Sequence, residues 1–188
     1  MNSSLELFRS NRRTIFLDLD ETLIHSKPDL PNHKYDFIVR PVIDGIKMEF
    51  YVAKRPFVDE FLETLSEKFE LVIFTAGVEE YASLVIEMLD RKGTITHRLY
   101  RDSCRLIEGK YVKDLESFGR DLSRSVIVDD NLNSYCFQPE NGIPIAPFTG
   151  GEVGDGELLR LIDFFNNRVE CYVDMRDAVK LYLHNRER

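Results

Sequence analysis

Residues 15–26 read IFLDLDETLIHS, and the fold turns on how this stretch is understood. An apolar run, Ile15-Phe16-Leu17, breaks into two carboxylates one residue apart, Asp18 and Asp20, with Thr22 following. Apolar runs bury themselves, whereas a carboxylate resists burial unless something neutralises it. The stretch is therefore either a strand followed by a plain acidic loop, or a strand with a cation-binding, phosphate-handling site at its end.

Three short runs, TIFL (14–17), LVIF (71–74) and SVIV (125–128), share this character. None alternates polar with apolar residues, which predicts strands covered on both faces, as in a parallel α/β sheet. Between the first two, Pro56 suits the first turn of a helix, and Phe57, Phe61, Leu62, Leu65 and Phe69 recur at helical spacing. A second helix fits residues 78–90, with Val78, Tyr81, Ala82, Val85, Met88 and Leu89 facing in. Two more fit residues 157–165 and 175–183. Residues 36–53 hold Asp44-Gly45 between two β-rich runs, a hairpin signal, and Glu108-Gly109 marks a second hairpin. Residues 150–156, GGEVGDG, read as a loop. With no repeat and no low-complexity linker, the expected organisation is a short tail over 1–13 and one domain over 14–188.

Composition narrows the class. A chain of 188 residues with 43% apolar and 31% charged residues is neither disordered nor membrane-embedded by composition. Its apolar runs are too short for a transmembrane helix, and the polar start MNSSLELFRSNRR lacks the core of a signal peptide. Cys104, Cys136 and Cys171 are odd in number and form no CxxC pair, so buried thiols in a reducing compartment are expected. An intracellular, soluble protein, nuclear or cytoplasmic and monomeric, follows as the expectation. The formal net charge of −8 argues against direct nucleic-acid binding.

The chemistry sits where the strands end. The first run ends in Asp18, with Asp20 just beyond; the second ends at Thr75; the third ends in Asp129-Asp130-Asn131. Ligands of open α/β sheets bind at the carboxyl ends of the strands, so these residues should surround one point. Two carboxylates ~4 Å apart repel by about 4 kcal/mol at an effective dielectric near 20, so the cluster calls for a cation. Its all-oxygen donors suit Mg²⁺. An EF-hand beginning at Asp18 fails, since Leu23 stands where the loop needs glycine and Asp29 where it needs glutamate. Asp18, ionised at neutral pH, suits a nucleophile. Asp20 suits an acid that protonates the leaving oxygen and then activates water. Thr75 can offer a hydroxyl to a phosphoryl oxygen, and Lys113 in YVKDL supplies positive charge.

At this point the sequence resembles the haloacid-dehalogenase superfamily. DLDETLIHS, KRPFVDEFL, ELVIFTAG, YVKDL and VDDN together resemble the small carboxy-terminal-domain phosphatases of RNA polymerase II and the related dullard phosphatases. The resemblance implies a Rossmann-like fold, with Asp18 as nucleophile and Asp20 as acid/base. It also implies Thr75 and Lys113 as phosphate ligands, and Mg²⁺ held by Asp18, the Asp20 carbonyl, Asp129 and Asp130. Thr22 of the first motif and Arg101 of LYRDSC are expected near the substrate. The small phosphatases usually have Asp-Asn where this chain has Asp129-Asp130, and Lys27-Pro28 stand where many carry an aromatic that helps bind proline.

Three functions compete: a Mg²⁺-dependent phosphoprotein serine/threonine phosphatase, serving the polymerase C-terminal domain or another phosphoprotein; a small-metabolite phosphatase; and an inactive phosphopeptide-binding scaffold. Only 57 residues separate Asp18 from Thr75 and 38 separate Thr75 from Lys113, room for a small β-hairpin insertion but not for a large cap. An open cleft favours a phosphoprotein substrate. Ile43, Phe50 and Tyr81 are expected to shape a pocket for its side chains. The presence of both Asp18 and Asp20 argues against the scaffold.

Overall fold

The three apolar runs form the middle of a single five-stranded sheet. The computed structural model describes residues 12–151 and 154–186. In chain order its first elements are β1 (Thr14–Leu17), β2 (Ile24–Lys27), β3 (Phe37–Val39), β4 (Val42–Ile43), β5 (Ile46–Lys47) and β6 (Phe50–Lys54). Then come α1 (Val58–Ser66), β7 (Glu70–Phe74), α2 (Glu79–Leu89), β8 (Ile95–Leu99), β9 (Arg105–Ile107) and β10 (Lys110–Val112). The chain continues with β11 (Ser125–Asp129), β12 (Gly142–Pro144), α3 (Glu157–Asn167) and α4 (Met175–Arg186).

The main sheet runs β12-β11-β1-β7-β8, with every neighbouring pair parallel. Every residue of β1, β7 and β11 is buried, as strands covered on both faces require. Alternate side chains feed two cores. Ile15, Leu17, Leu71, Ile73, Val126 and Val128 join the apolar faces of the four helices. Phe16, Val72, Phe74 and Ile127 face a smaller cluster closed by Leu115 and Tyr135, with Leu99, Phe118 and Leu122 packed on it. Short 3-10 turns bring most of those covering residues onto the sheet.

Several expectations shift in detail. The first helix begins at Val58, not Pro56: Phe57 takes a left-handed conformation (φ 68°) that turns its ring outward, 44% exposed. In α2, Ile86 is fully buried and Met88 only partly so. The insertion after the first motif is larger than one hairpin, because β2, β6 and β3 form an antiparallel sheet beside the β4–β5 hairpin. The hairpin at Glu108-Gly109 forms as β9–β10. The thiols are not deeply buried: Cys104 is half-buried, while Cys136 and Cys171 lie exposed, each in or just after a surface 3-10 turn. Residues 1–11 of the expected tail, and Glu152 and Val153 of the 150–156 loop, lie outside the described residues. The last two tail residues are tied down, Arg12 to the Ser66 carbonyl at 2.7 Å and Arg13 to that of Val169 at 2.8 Å. Among the described residues, no helix is long and apolar enough to cross a membrane.

Candidate active site

Strand register sets the level of the site. Leu17 pairs with Val128 on one side and Ile73 on the other, so Asp18 leaves the sheet beside Asp129, with Thr75 just past the end of β7. The Asp18 amide donates to the Val128 carbonyl at 3.0 Å and extends the pairing by one residue. Sequence position within three strands thus becomes spatial convergence.

Lys113 enters this point from the end of β10. Its Nζ donates to Asp18 Oδ1 at 2.5 Å and to Asp129 Oδ2 at 2.6 Å, and the side chain is 1% exposed. Burial works against its charge, but the Asp18 and Asp129 carboxylates outweigh burial and raise its pKa above the usual lysine value. Asp130 completes the group: carboxylate oxygens of Asp18, Asp129 and Asp130 lie within 4.8 Å of one another. Burial, followed by the charge of Asp18, pushes the Asp129 and Asp130 carboxyls up. Three carboxylates against one ammonium leave an excess of negative charge in a mostly buried place. These donors fit a hard, oxygen-seeking divalent cation such as Mg²⁺.

The Asp20 carboxyl stands outside that carboxylate group. The Tyr81 hydroxyl donates to its Oδ1 at 2.6 Å, and the Ser26 hydroxyl lies 2.6 Å from Tyr81 and 3.4 Å from the same Oδ1. Burial, with help from Asp18 and Glu21, lifts the Asp20 carboxyl to a pKa of about 6. Burial and the neighbouring carboxylate also raise the Tyr81 hydroxyl far above a normal phenol, so it remains a donor. Thr75 is 1% exposed, and its hydroxyl accepts from the Gly77 amide at 2.9 Å, which leaves its own proton to donate.

The other expected residues divide. Arg101 is exposed at the rim, its amide bonded to the Gly77 carbonyl (3.0 Å), its Nε to that of Ala76 (2.7 Å), and its guanidinium 4.9 Å above the Tyr111 ring. It is held beside the Thr75 loop. Phe50 meets the Tyr81 ring with centroids 5.0 Å apart, and Ile43 is partly buried against the main core. Thr22 is fully buried, and its hydroxyl has no hydrogen-bond partner among the described residues. What Thr22 contributes is its carbonyl, which accepts from Arg55 at 3.0 Å.

Arg55 and Ser26 carry roles that the sequence did not announce. Arg55, 1% exposed, bonds the Thr22 carbonyl, the Ala146 carbonyl (2.7 Å) and Asp155 (2.9 Å), clamping the loop that bears Asp18 and Asp20. The only signal for it was its place in KRPFVDEFL. Ser26 likewise had only its place at the end of DLDETLIHS, since a serine at the end of a strand is common.

A parallel sheet whose central strands end in acids grouped about one buried lysine defines a class of α/β protein, and comparison places the chain within it. The chain belongs to the NLI interacting factor-like phosphatase family, whose model matches residues 13–176. A probable C-terminal domain small phosphatase of Dictyostelium discoideum is 47% identical over 158 residues, covering 84% of this chain and 51% of that protein. A human CTD small phosphatase-like protein is 47% identical over 154 residues, covering 82% of this chain and 55% of its own length. The chain thus spans about half the length of the relatives it matches. The fission yeast RNA polymerase II CTD phosphatase Fcp1, solved with beryllium fluoride bound, superposes with a TM-score of 0.62 at 23% identity over 90% of this chain and 54% of that one. That likeness supports the fold.

Proposed function

We propose that the chain is a Mg²⁺-dependent phosphoprotein phosphatase for serine and threonine that works through an aspartyl-phosphate on Asp18. The observation that carries the reading is the buried Lys113 bridging Asp18 and Asp129, with Asp130 beside them and the Asp20 carboxyl held apart by Tyr81. The arrangement separates two carboxyls into two roles, Asp18 held by Lys113 and Asp20 held by Tyr81 with its pKa lifted to about 6. Asp18 attacks phosphorus as the bond to the leaving oxygen breaks, and Asp20 gives that oxygen a proton. Water then attacks the acyl phosphate, returns its proton to Asp20 and frees Asp18. Lys113 and Thr75 hold phosphoryl oxygens, and Arg101 supports them from the rim. Asp18, Asp129 and Asp130, with the Asp20 carbonyl, would hold Mg²⁺, which offsets the repulsion between carboxylate and phosphate charge.

The substrate, by this reading, is a phosphorylated loop or tail, because the insertion after the first motif is a small antiparallel sheet and hairpin rather than a lid. The names of the relatives make the polymerase C-terminal domain one candidate. The same reading holds the chain to one domain from residue 14, a monomer acting in nucleus or cytoplasm.

Turnover of a phosphopeptide and of 4-nitrophenyl phosphate, each with Mg²⁺ and with excess EDTA, tests the proposal. Activity that vanishes with chelator, a phosphoryl mass on Asp18 in quenched protein, and none in Asp18→Asn are expected. Full activity in EDTA would remove the metal from the reading, and an adduct on Asp18→Asn would remove the nucleophile.

A further inference from the structure

The ring of Tyr81 is packed against Phe50, but its hydroxyl is committed elsewhere. At 7% exposure the side chain presents little to solvent, and its oxygen sits 2.6 Å from Asp20 Oδ1. Ser26, also 2.6 Å from that oxygen, is better placed to donate to Tyr81 than to Asp20 at 3.4 Å. The result is a chain of donors running from Ser26 to Tyr81 to Asp20. Each bond in such a chain polarises the next, so Tyr81 is a stronger and better-aimed donor than an isolated phenol.

We propose that Tyr81, braced by Ser26, is a positioning residue that fixes the Asp20 carboxyl and reserves Oδ2 for proton transfer. Among the described residues, both hydrogen bonds to this carboxyl fall on Oδ1. Oδ1 accepts the short bond from Tyr81 and faces the Ser26 hydroxyl as well, whereas Oδ2 meets no donor among the described residues, so the acid proton belongs on Oδ2. In the first step the Asp18–phosphorus bond forms and the bond from phosphorus to the leaving oxygen breaks. Its electron pair goes to that oxygen, and the Oδ2 proton follows. In the second step water bonds to phosphorus, the Asp18–phosphorus bond breaks with its pair returning to the carboxylate, and the proton of water restores Oδ2. A carboxyl free to rotate would offer either oxygen and lose part of this alignment. Catalytic geometry held by neighbouring hydrogen bonds is sensitive to such loss. The inference rests on the phosphatase reading above and assigns Tyr81 no direct contact with phosphate.

The dependence on leaving group provides the test. Serine leaves as a poor alkoxide and needs the proton, whereas nitrophenolate does not. Intact chains of the parent, Tyr81→Phe, Ser26→Ala and Asp20→Asn, all with Mg²⁺, are compared by kcat/KM on a phosphoserine peptide and on 4-nitrophenyl phosphate. Tyr81→Phe keeps the ring and should lose about tenfold on the peptide but under about threefold on the aryl ester, a fraction of the ~10²–10⁴-fold that general acid catalysis supplies. Ser26→Ala, on the partly exposed strand β2, removes only the brace and should show the same selectivity at about threefold. It also decides the matter if Tyr81→Phe folds poorly. Equal losses on both substrates, or none, alongside a selective loss in Asp20→Asn would overturn the positioning role and leave the phosphatase reading standing. An Asp20→Asn protein without selective loss would overturn the acid role itself.

Discussion

Lys113 is a structural residue to which the proposed function also gives a chemical role. Its ammonium is 1% exposed and touches two carboxylates, so most of what keeps it charged is those partners. Removing one member of a buried ionic group leaves the others unpaired, at a cost of ~3–5 kcal/mol. Lys113→Met should therefore lower the stability of the metal-free protein by about that much, with Asp18 and Asp129 left facing each other. It should also abolish turnover. Millimolar Mg²⁺ should restore part of the stability, since a cation can replace the lost charge, but little of the activity. Urea unfolding with and without Mg²⁺ makes the measurement, and an unchanged midpoint would mean that Lys113 does not neutralise Asp18 and Asp129.

At the level of elements, the same loop is held from beneath by Arg55, which joins the turn after β1, the segment after β12 and Asp155, two residues before α3. Phe148 adds a backbone bond from its amide to the Glu21 carbonyl at 2.7 Å and a ring 5.7 Å from the guanidinium. Arg55→Met should cost ~3–5 kcal/mol by stranding Asp155, and Arg55→Lys should recover only part, because one ammonium cannot span the positions a planar fork reaches. Thermal melts of both variants check this. These contacts also mark where sequence reading stops. Asp18, Thr75 and Asp129 were legible because each follows an apolar run, and buried strands put their ends at one edge. The Arg55–Asp155 bridge joins residues 100 apart, and the Tyr81–Asp20 bond joins residues 61 apart. Such pairings depend on how helices and the insertion pack, and periodicity carries no record of that. β12 escaped for a local reason: it is three residues long, and its Gly142 lies so close to Tyr135 that a Cβ there would stand 1.9 Å from the ring.

Over the whole molecule, these choices gather negative charge at one end of a sheet in a chain that is already acidic. The consequence is a pH dependence whose sign can be worked out. Asp20 has a folded pKa of about 6 against 3.8 for the ordinary group, and Asp129 and Asp130 are also raised. A raised carboxyl binds its proton more tightly when folded, so its contribution to stability is complete below the ordinary value and is lost as pH rises through the folded one. Glu49, Asp121 and Asp174 are shifted downward instead, and those effects end near the ordinary carboxylate range. Between pH 5 and 8 the raised group governs, and the metal-free protein should melt at a lower temperature at pH 7.5 than at pH 5. Asp20→Asn should flatten the part of that slope that lies between pH 5 and its end just above pH 6. Mg²⁺ must act in the opposite sense, because it binds the deprotonated carboxylates of the folded state, and binding to that state alone stabilises it. Its gain in Tm should thus be larger at pH 7.5 than at pH 5. Melting curves at the two pH values, with and without Mg²⁺, give four temperatures. A metal-free protein more stable at pH 7.5, or a Mg²⁺ gain that is greater at pH 5, would contradict a buried acid cluster built to receive a cation.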